Sequence, residues 1–120
     1  MTVTNIGLAE MANLVIGGGT AFSYIAIGTG TTAATVGDTA LETEVQRESA
    51  TTSRVTTNTS NDTSQWVYTF NFSGAAAITE YGVLNADTAG TLLLHIVDSA
   101  VNVNDGDSLQ VTIKLVGDQA

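Results

Sequence analysis

The sequence predicts a mainly β protein, an antiparallel β-sandwich of jelly-roll or immunoglobulin-like type with one short N-terminal helix. Three observations carry that expectation. The run Trp66-Val67-Tyr68-Thr69-Phe70-Asn71-Phe72 alternates with period two, placing the aromatics on one face, as a half-buried strand requires. The run Leu109-Gln110-Val111-Thr112-Ile113-Lys114-Leu115 repeats the alternation with aliphatic residues. Elsewhere short β-branched runs are separated by Gly, Asn and Asp turn signals at intervals of roughly 8–12 residues, the rhythm of a sandwich.

The elements follow in order. Residues 5–16 form the helix: Leu8, Met11, Ala12 and Val15 make one apolar stripe, Thr4 or Asn5 caps the start, and Gly17-Gly18-Gly19 ends it. Phe22 to Ile27 is apolar on both faces and reads as a central strand. A long loop from Gly28 to about Asp38 follows. Leu41 to Ala50 reads as a polar strand anchored by Val45, running on towards Thr57. Asn58 to Asp62 is a dense turn signal, so 51–73 forms a hairpin with the aromatic strand at 65–73. Ile78 to Leu84 and Thr91 to Val97 are two strands joined by the turn at 85–90. A short extended piece at Val101 and Val103 precedes the turn at 104–107 and the last strand. The expected core is Phe22, Ile25, Ile27, Trp66, Tyr68, Phe70, Phe72, Leu92, Leu94, Leu109, Val111 and Ile113.

Composition narrows the function. The chain has 120 residues, a single-domain length, and 43% hydrophobic residues, enough for a packed core. A net charge of −9, with only Arg47, Arg54 and Lys114 as cations, argues against nucleic-acid partners, because phosphate binding needs basic side chains. No basic segment precedes an apolar stretch at the N-terminus, and apolar runs such as Leu92-Leu93-Leu94 fall far short of a bilayer span, so neither export nor a membrane partner is expected. Without Cys there are no disulfides, thiolate metal sites or thiol nucleophiles.

The residues of catalysis are correspondingly scarce. His95, the single His, lies in the apolar run Leu93-Leu94-His95-Ile96-Val97 and reads as a strand histidine with a structural hydrogen bond. Gly28-Thr29-Gly30-Thr31-Thr32 is Gly-rich but lacks the Lys and the following helix of a phosphate loop. Asn102 to Asp107 resembles a calcium loop only superficially, since the terminal bidentate Glu is missing. Glu42, Glu44 and Glu48 share one strand face, either solvated or met by a basic surface. No enzyme activity, cofactor or metal is expected.

Three stretches carry a resemblance: Phe22 to Thr32 followed by Asp38 to Val45; Ile78 to Asn85 with Gly90 to Leu94; and Val101 to Thr112. Together with Asn5 to Glu10, their order and spacing resemble a family of small structural proteins from tailed bacteriophages and related archaeal viruses. The resemblance implies a virion protein and brings no catalytic residues with it. Its first form is a capsid decoration protein on the outside of the head, with the major capsid protein and copies of itself, as a trimer or ring, for partners. The alternative is a tail-fibre or baseplate component meeting host glycans. Docking is expected from Val3, Ile6 and Leu8 in the N-terminal segment and from Thr29, Thr31 and Thr32 in the long loop, both read as flexible. On that reading, deleting residues 1–8 leaves a folded domain that no longer coats particles.

Overall fold

Strands that are apolar on one face need a second layer to bury it, and here eight of them resolve into two antiparallel sheets. The computed structural model describes residues 1–119. The elements are β1 (Thr2–Val3), α1 (Asn5–Val15), β2 (Tyr24–Gly28), β3 (Glu44–Ser49), β4 (Thr51–Val55), β5 (Thr63–Asn71), β6 (Ala76–Leu84), β7 (Leu92–Val103) and β8 (Ser108–Val116). The first sheet has the order β1-β7-β6-β2-β3 and the second the order β4-β5-β8. Among the described residues no helix is long and apolar enough to cross a membrane.

The core lies between the sheets. Ile25 and Ile27 of β2, Ile78 and Val83 of β6 and Leu94 of β7 face Trp66 and Phe70 of β5 and Val111 and Ile113 of β8. The alternation of β5 and β8 is realised as expected, with Thr69, Gln110, Thr112 and Lys114 exposed. Every expected core residue is buried or half-buried. Tyr68 meets Phe70 edge-on at 4.9 Å between ring centroids, a favoured aromatic geometry. The Trp66 indole N–H donates to the Phe22 carbonyl at 2.8 Å, so the one polar atom of the ring is satisfied inside the core.

Two strand boundaries differ from the sequence reading. The polar strand begins at Glu44 and breaks at Ala50, whose N–H donates to the Ser23 carbonyl at 2.8 Å, and the chain passes there from the first sheet to the second. Val45 does not anchor it: β3 is an edge strand, and Val45 is 45% exposed. Residues 92–103 form one strand instead of two, because the start of β6 (Ala76 to Ile78) pairs with Val101 to Val103 past a register shift. The β4–β5 hairpin matches the expectation, with Thr51 opposite Val67 and Val55 opposite Thr63.

The helix is where pattern and packing part. Thr4 is the N-cap, its hydroxyl accepting from the Gly7 N–H at 2.9 Å and donating to the Leu92 carbonyl. Yet the stripe expected to face inward is turned out: Leu8 is 53% exposed, Val15 85%, and Ala12 is exposed. Of that stripe only Met11 faces the protein, together with Gly7 and Leu14. The cause is backbone proximity. A Cβ on Gly7 would lie 2.5 Å from the Leu93 carbonyl oxygen and 2.8 Å from the Leu93 Cα, so only Gly lets α1 seat on β7.

Gly7→Ala is therefore expected to lower stability by about 1–3 kcal/mol through overpacking. Ala would otherwise favour a helix by about 1 kcal/mol, so a net loss in chemical denaturation isolates the clash. Gly74→Ala, with nothing within 4 Å of the added carbon, should be near neutral in the same assay.

The N-terminal segment is part of the fold and not a free arm. Thr2 and Val3 pair with His95 and Leu94, and Thr4 is fully buried. Deleting residues 1–8 removes an edge strand, the helix cap and the first helical turn. The expectation that this truncation leaves the domain intact is corrected accordingly.

Candidate functional site

The outer face of the first sheet is covered by the long segment between β2 and β3. Leu41 supplies the apolar part, packing with Ala26, Leu84 and Leu92, and Gly82 leaves room for it. Beside this cluster sits a buried polar one. Glu80, with no exposed surface, receives the Gly30 and Thr43 N–H groups on Oε2 at 2.8 and 2.7 Å. Its Oε1 receives the Glu42 N–H at 2.9 Å and meets His95 Nε2 at 2.8 Å. His95 Nδ1 lies 2.7 Å from Asp38 Oδ2. Asp38 in turn accepts from the Thr35 N–H and hydroxyl, both at 2.9 Å.

The glycines of the Gly28-Thr29-Gly30 run belong to this cluster. A Cβ on Gly28 would meet the Thr43 carbonyl oxygen at 2.3 Å, and one on Gly30 would meet Glu80 Oε2 at 2.5 Å. Of this run only the Gly30 N–H reaches the Glu80 carboxylate, and the Glu42 and Thr43 N–H groups complete the cradle around the protein's own anion. The Thr79 hydroxyl donates to the Gly30 carbonyl at 2.6 Å, and the Thr29 N–H to the Thr43 carbonyl at 3.0 Å. The Asn5 N–H donates to the Val36 carbonyl at 2.8 Å, tying the same segment to α1.

Electrostatics follow from these contacts. Burial pushes the Glu80 carboxyl up, but the N–H groups of Thr43 and Glu42, the His95 ring and the Gly30 N–H outweigh it and hold the group below its ordinary value of 4.5. The His95 bond, with help from Thr35, lowers Asp38. Two ionised carboxylates can only accept, so both contacts of His95 are hydrogen bonds together when the ring carries both protons. His95 is 3% exposed and both of its nitrogens are occupied, which is the geometry of a clasp holding the covering segment to the sheet.

The residues expected to dock are dispersed. Val3 is half-buried in β1, while Ile6 and Leu8 are exposed on the helix. Thr29 is half-buried, and Thr31 and Thr32 are exposed. The loop expected to be flexible is pinned at several points. Besides the Glu80 contacts, Glu42 accepts from the Thr31 N–H at 2.9 Å and from the Thr32 N–H and hydroxyl, which lower its carboxyl.

The acidic strand face is also differently used. Glu42 lies outside β3, and Glu44 forms a two-point ion pair with Arg47. Arg47 also donates to the carbonyls of Ala86 and Ala89, clamping the β6–β7 turn. The Asn104 to Asp107 turn closes on itself, Asp107 accepting from the Asn104 N–H at 2.8 Å. Among the described residues no group of three or more His, Asp or Glu side chains is arranged to hold a metal ion.

Sequence reasoning found His95 but missed Glu80 and Asp38. The available signal was Glu80 itself, a carboxylate inside Ile78-Thr79-Glu80-Tyr81-Gly82-Val83-Leu84, where every neighbour is apolar or small enough to be buried. Comparison of the chain with protein-family models, curated proteins and solved structures found no match.

Proposed function

We propose that this chain is a virion structural protein that coats the outside of a phage head, a capsid decoration protein, and that it is not an enzyme. Its partners on this reading are the major capsid protein and copies of itself in a trimer or ring, and its place is the particle surface. The observation that carries the proposal is the outward apolar stripe of α1. Leu8, Val15 and Ile16 are 53%, 85% and 83% exposed on a helix whose only charged side chain is Glu10. A stripe held in water by a Gly-seated helix is a docking face.

The non-enzymatic reading is supported by the use of the chain's reactive groups. His95, Asp38 and Glu80 are spent on one another and on backbone N–H groups. A glycan-binding role at a tail tip would want exposed aromatic platforms, and Trp66 is 5% exposed with its N–H taken.

The test is copy number in purified particles by quantitative mass spectrometry. Decoration of a lattice, where weak contacts repeat, requires copies on the order of hundreds. A dozen or fewer overturns decoration in favour of the tail. Leu8→Asp combined with Val15→Asp should leave the monomer folded and abolish its retention on particles. Unchanged retention would remove α1 as the docking face.

A further inference from the structure

The hydrogen bonding of β8 leaves one strand edge open, and its pattern is self-complementary. Among the described residues β8 pairs on one side only, with β5, in an unbroken register from Thr63 opposite Val116 to Asn71 opposite Ser108. The Gly117 N–H donates to the Asp62 carbonyl and the Phe72 N–H to the Asp107 carbonyl, both at 2.9 Å. In an antiparallel ladder the bonded residues alternate. The odd-numbered residues of β8 therefore turn their backbone groups to β5. The even-numbered ones, Ser108, Gln110, Thr112, Lys114 and Val116, turn theirs away from the sheet, and all of these are exposed.

Nothing in the strand protects this edge except Lys114: there is no Pro and no bulge. α1 packs on β7, and its Leu8 and Met11 face Leu115 and Val116 across a groove of about 320 Å³ at the far end of β8. Beside the first half of β8 the sandwich is open, with a groove of about 270 Å³ between Tyr81, Ile96 and Asp98 on one side and Leu109 to Ile113 on the other.

We propose that β8 pairs antiparallel with β8 of a second copy, about a two-fold axis through Thr112, joining the two three-stranded sheets into one of six. This register puts Thr112 opposite itself, Gln110 opposite Lys114, and Ser108 opposite Val116. Every outward residue then meets another outward residue, so all the free N–H and C=O groups of the edge are matched. On the inner face Leu109 falls opposite Leu115 and Val111 opposite Ile113, which carries the apolar row across the junction. No like charges oppose, since Lys114 faces an amide. A second copy is the occupant because the self-match is complete in backbone parity and charge, with Ser108 opposite Val116 the one polar–apolar pair. The pairing is a two-fold contact that closes as a dimer, separate from the trimer or ring proposed above; its test needs no particle and can fail while the virion reading stands.

The chain has no Cys, so single cysteines report the register cleanly. Residues opposite one another in a bonded antiparallel pair have Cα atoms about 5.5 Å apart, within disulfide reach. Thr112→Cys should therefore form a disulfide dimer under mild oxidation at least about tenfold faster than Thr69→Cys, an exposed position on β5, because pairing raises the local thiol concentration. Gln110→Cys mixed with Lys114→Cys should give the heterodimer in preference to either homodimer. Thr112→Pro removes an N–H that bonds nothing within the protein. It should preserve the far-UV spectrum and convert a dimer, measured by light scattering, into a monomer. Equal oxidation rates for Thr112→Cys and Thr69→Cys, or a wild-type chain that stays monomeric at high concentration, overturn the proposal.

Discussion

Glu80→Ala is expected to cost about 3–5 kcal/mol, the range for breaking a buried charged network by removing one partner. The carboxylate has no exposed surface and joins three backbone N–H groups to the His95 ring. Without it those donors are left facing a cavity, and the segment from Gly30 to Thr43 keeps only its Leu41 packing and the Asp38–His95 and Thr79–Gly30 bonds to the first sheet. Urea denaturation should show the loss, and amide exchange should show unprotected N–H groups at Gly30, Glu42 and Thr43 even where the sandwich stays folded. A loss below about 1 kcal/mol would mean that Leu41 and the Asp38, Gly30 and Val36 contacts hold the segment without Glu80.

The same group is one of four carboxyls, with Asp38, Glu42 and Asp62, that the fold holds below their ordinary values and that tie stability to pH. Both Glu80 and Asp38 are held below their ordinary values, 4.5 and 3.8, so each binds protons less readily when folded than when unfolded. Their contribution is complete above the unfolded values and is lost as pH falls through the folded ones. Wild-type stability should therefore decline from about pH 5 downward. Glu80→Gln keeps the shape and removes the ionisation, so it should be less stable at pH 7 and show a flatter decline. Parallel curves for the two proteins would show that Glu80 is not what the acid limit reports.

Phe70→Ala is expected to cost about 3–5 kcal/mol, the range for a buried aromatic truncated where the surroundings cannot close the gap. Phe70 has no exposed surface, sits between the sheets and holds the edge of Tyr68. Against a total of about 5–15 kcal/mol for a domain, that is a large share. The neighbouring Thr69→Ala, on the exposed face of the same strand, should change stability by less than about 0.5 kcal/mol. Thermal or urea midpoints of the pair separate burial from strand propensity. Equal effects would contradict the assignment of the two faces.

The sequence by itself determined the β class, the two faces of β5 and β8, the hairpin at 51–73 and the core residues. Each of these rests on period-two alternation, which a strand displays whatever lies beyond it. The N-cap was legible as one of two neighbours, Thr4 or Asn5, because a cap is local: the Thr4 hydroxyl serves a backbone N–H only three residues away. Tertiary structure decided what depends on distant partners. The pattern read the helix by its apolar side chains, whereas α1 seats through Gly7, because a missing side chain permits the closest backbone approach. Val45 lost its role as an anchor once β3 became a sheet edge, and at Ala50, whose N–H donates to the Ser23 carbonyl, the chain leaves the first sheet so that β4 can pair with β5. The clasp unites Gly30, Asp38, Glu42, Thr43, Glu80 and His95, residues up to 65 positions apart, and only the folding of the covering segment over the sheet brings their charges and N–H groups within hydrogen-bond reach.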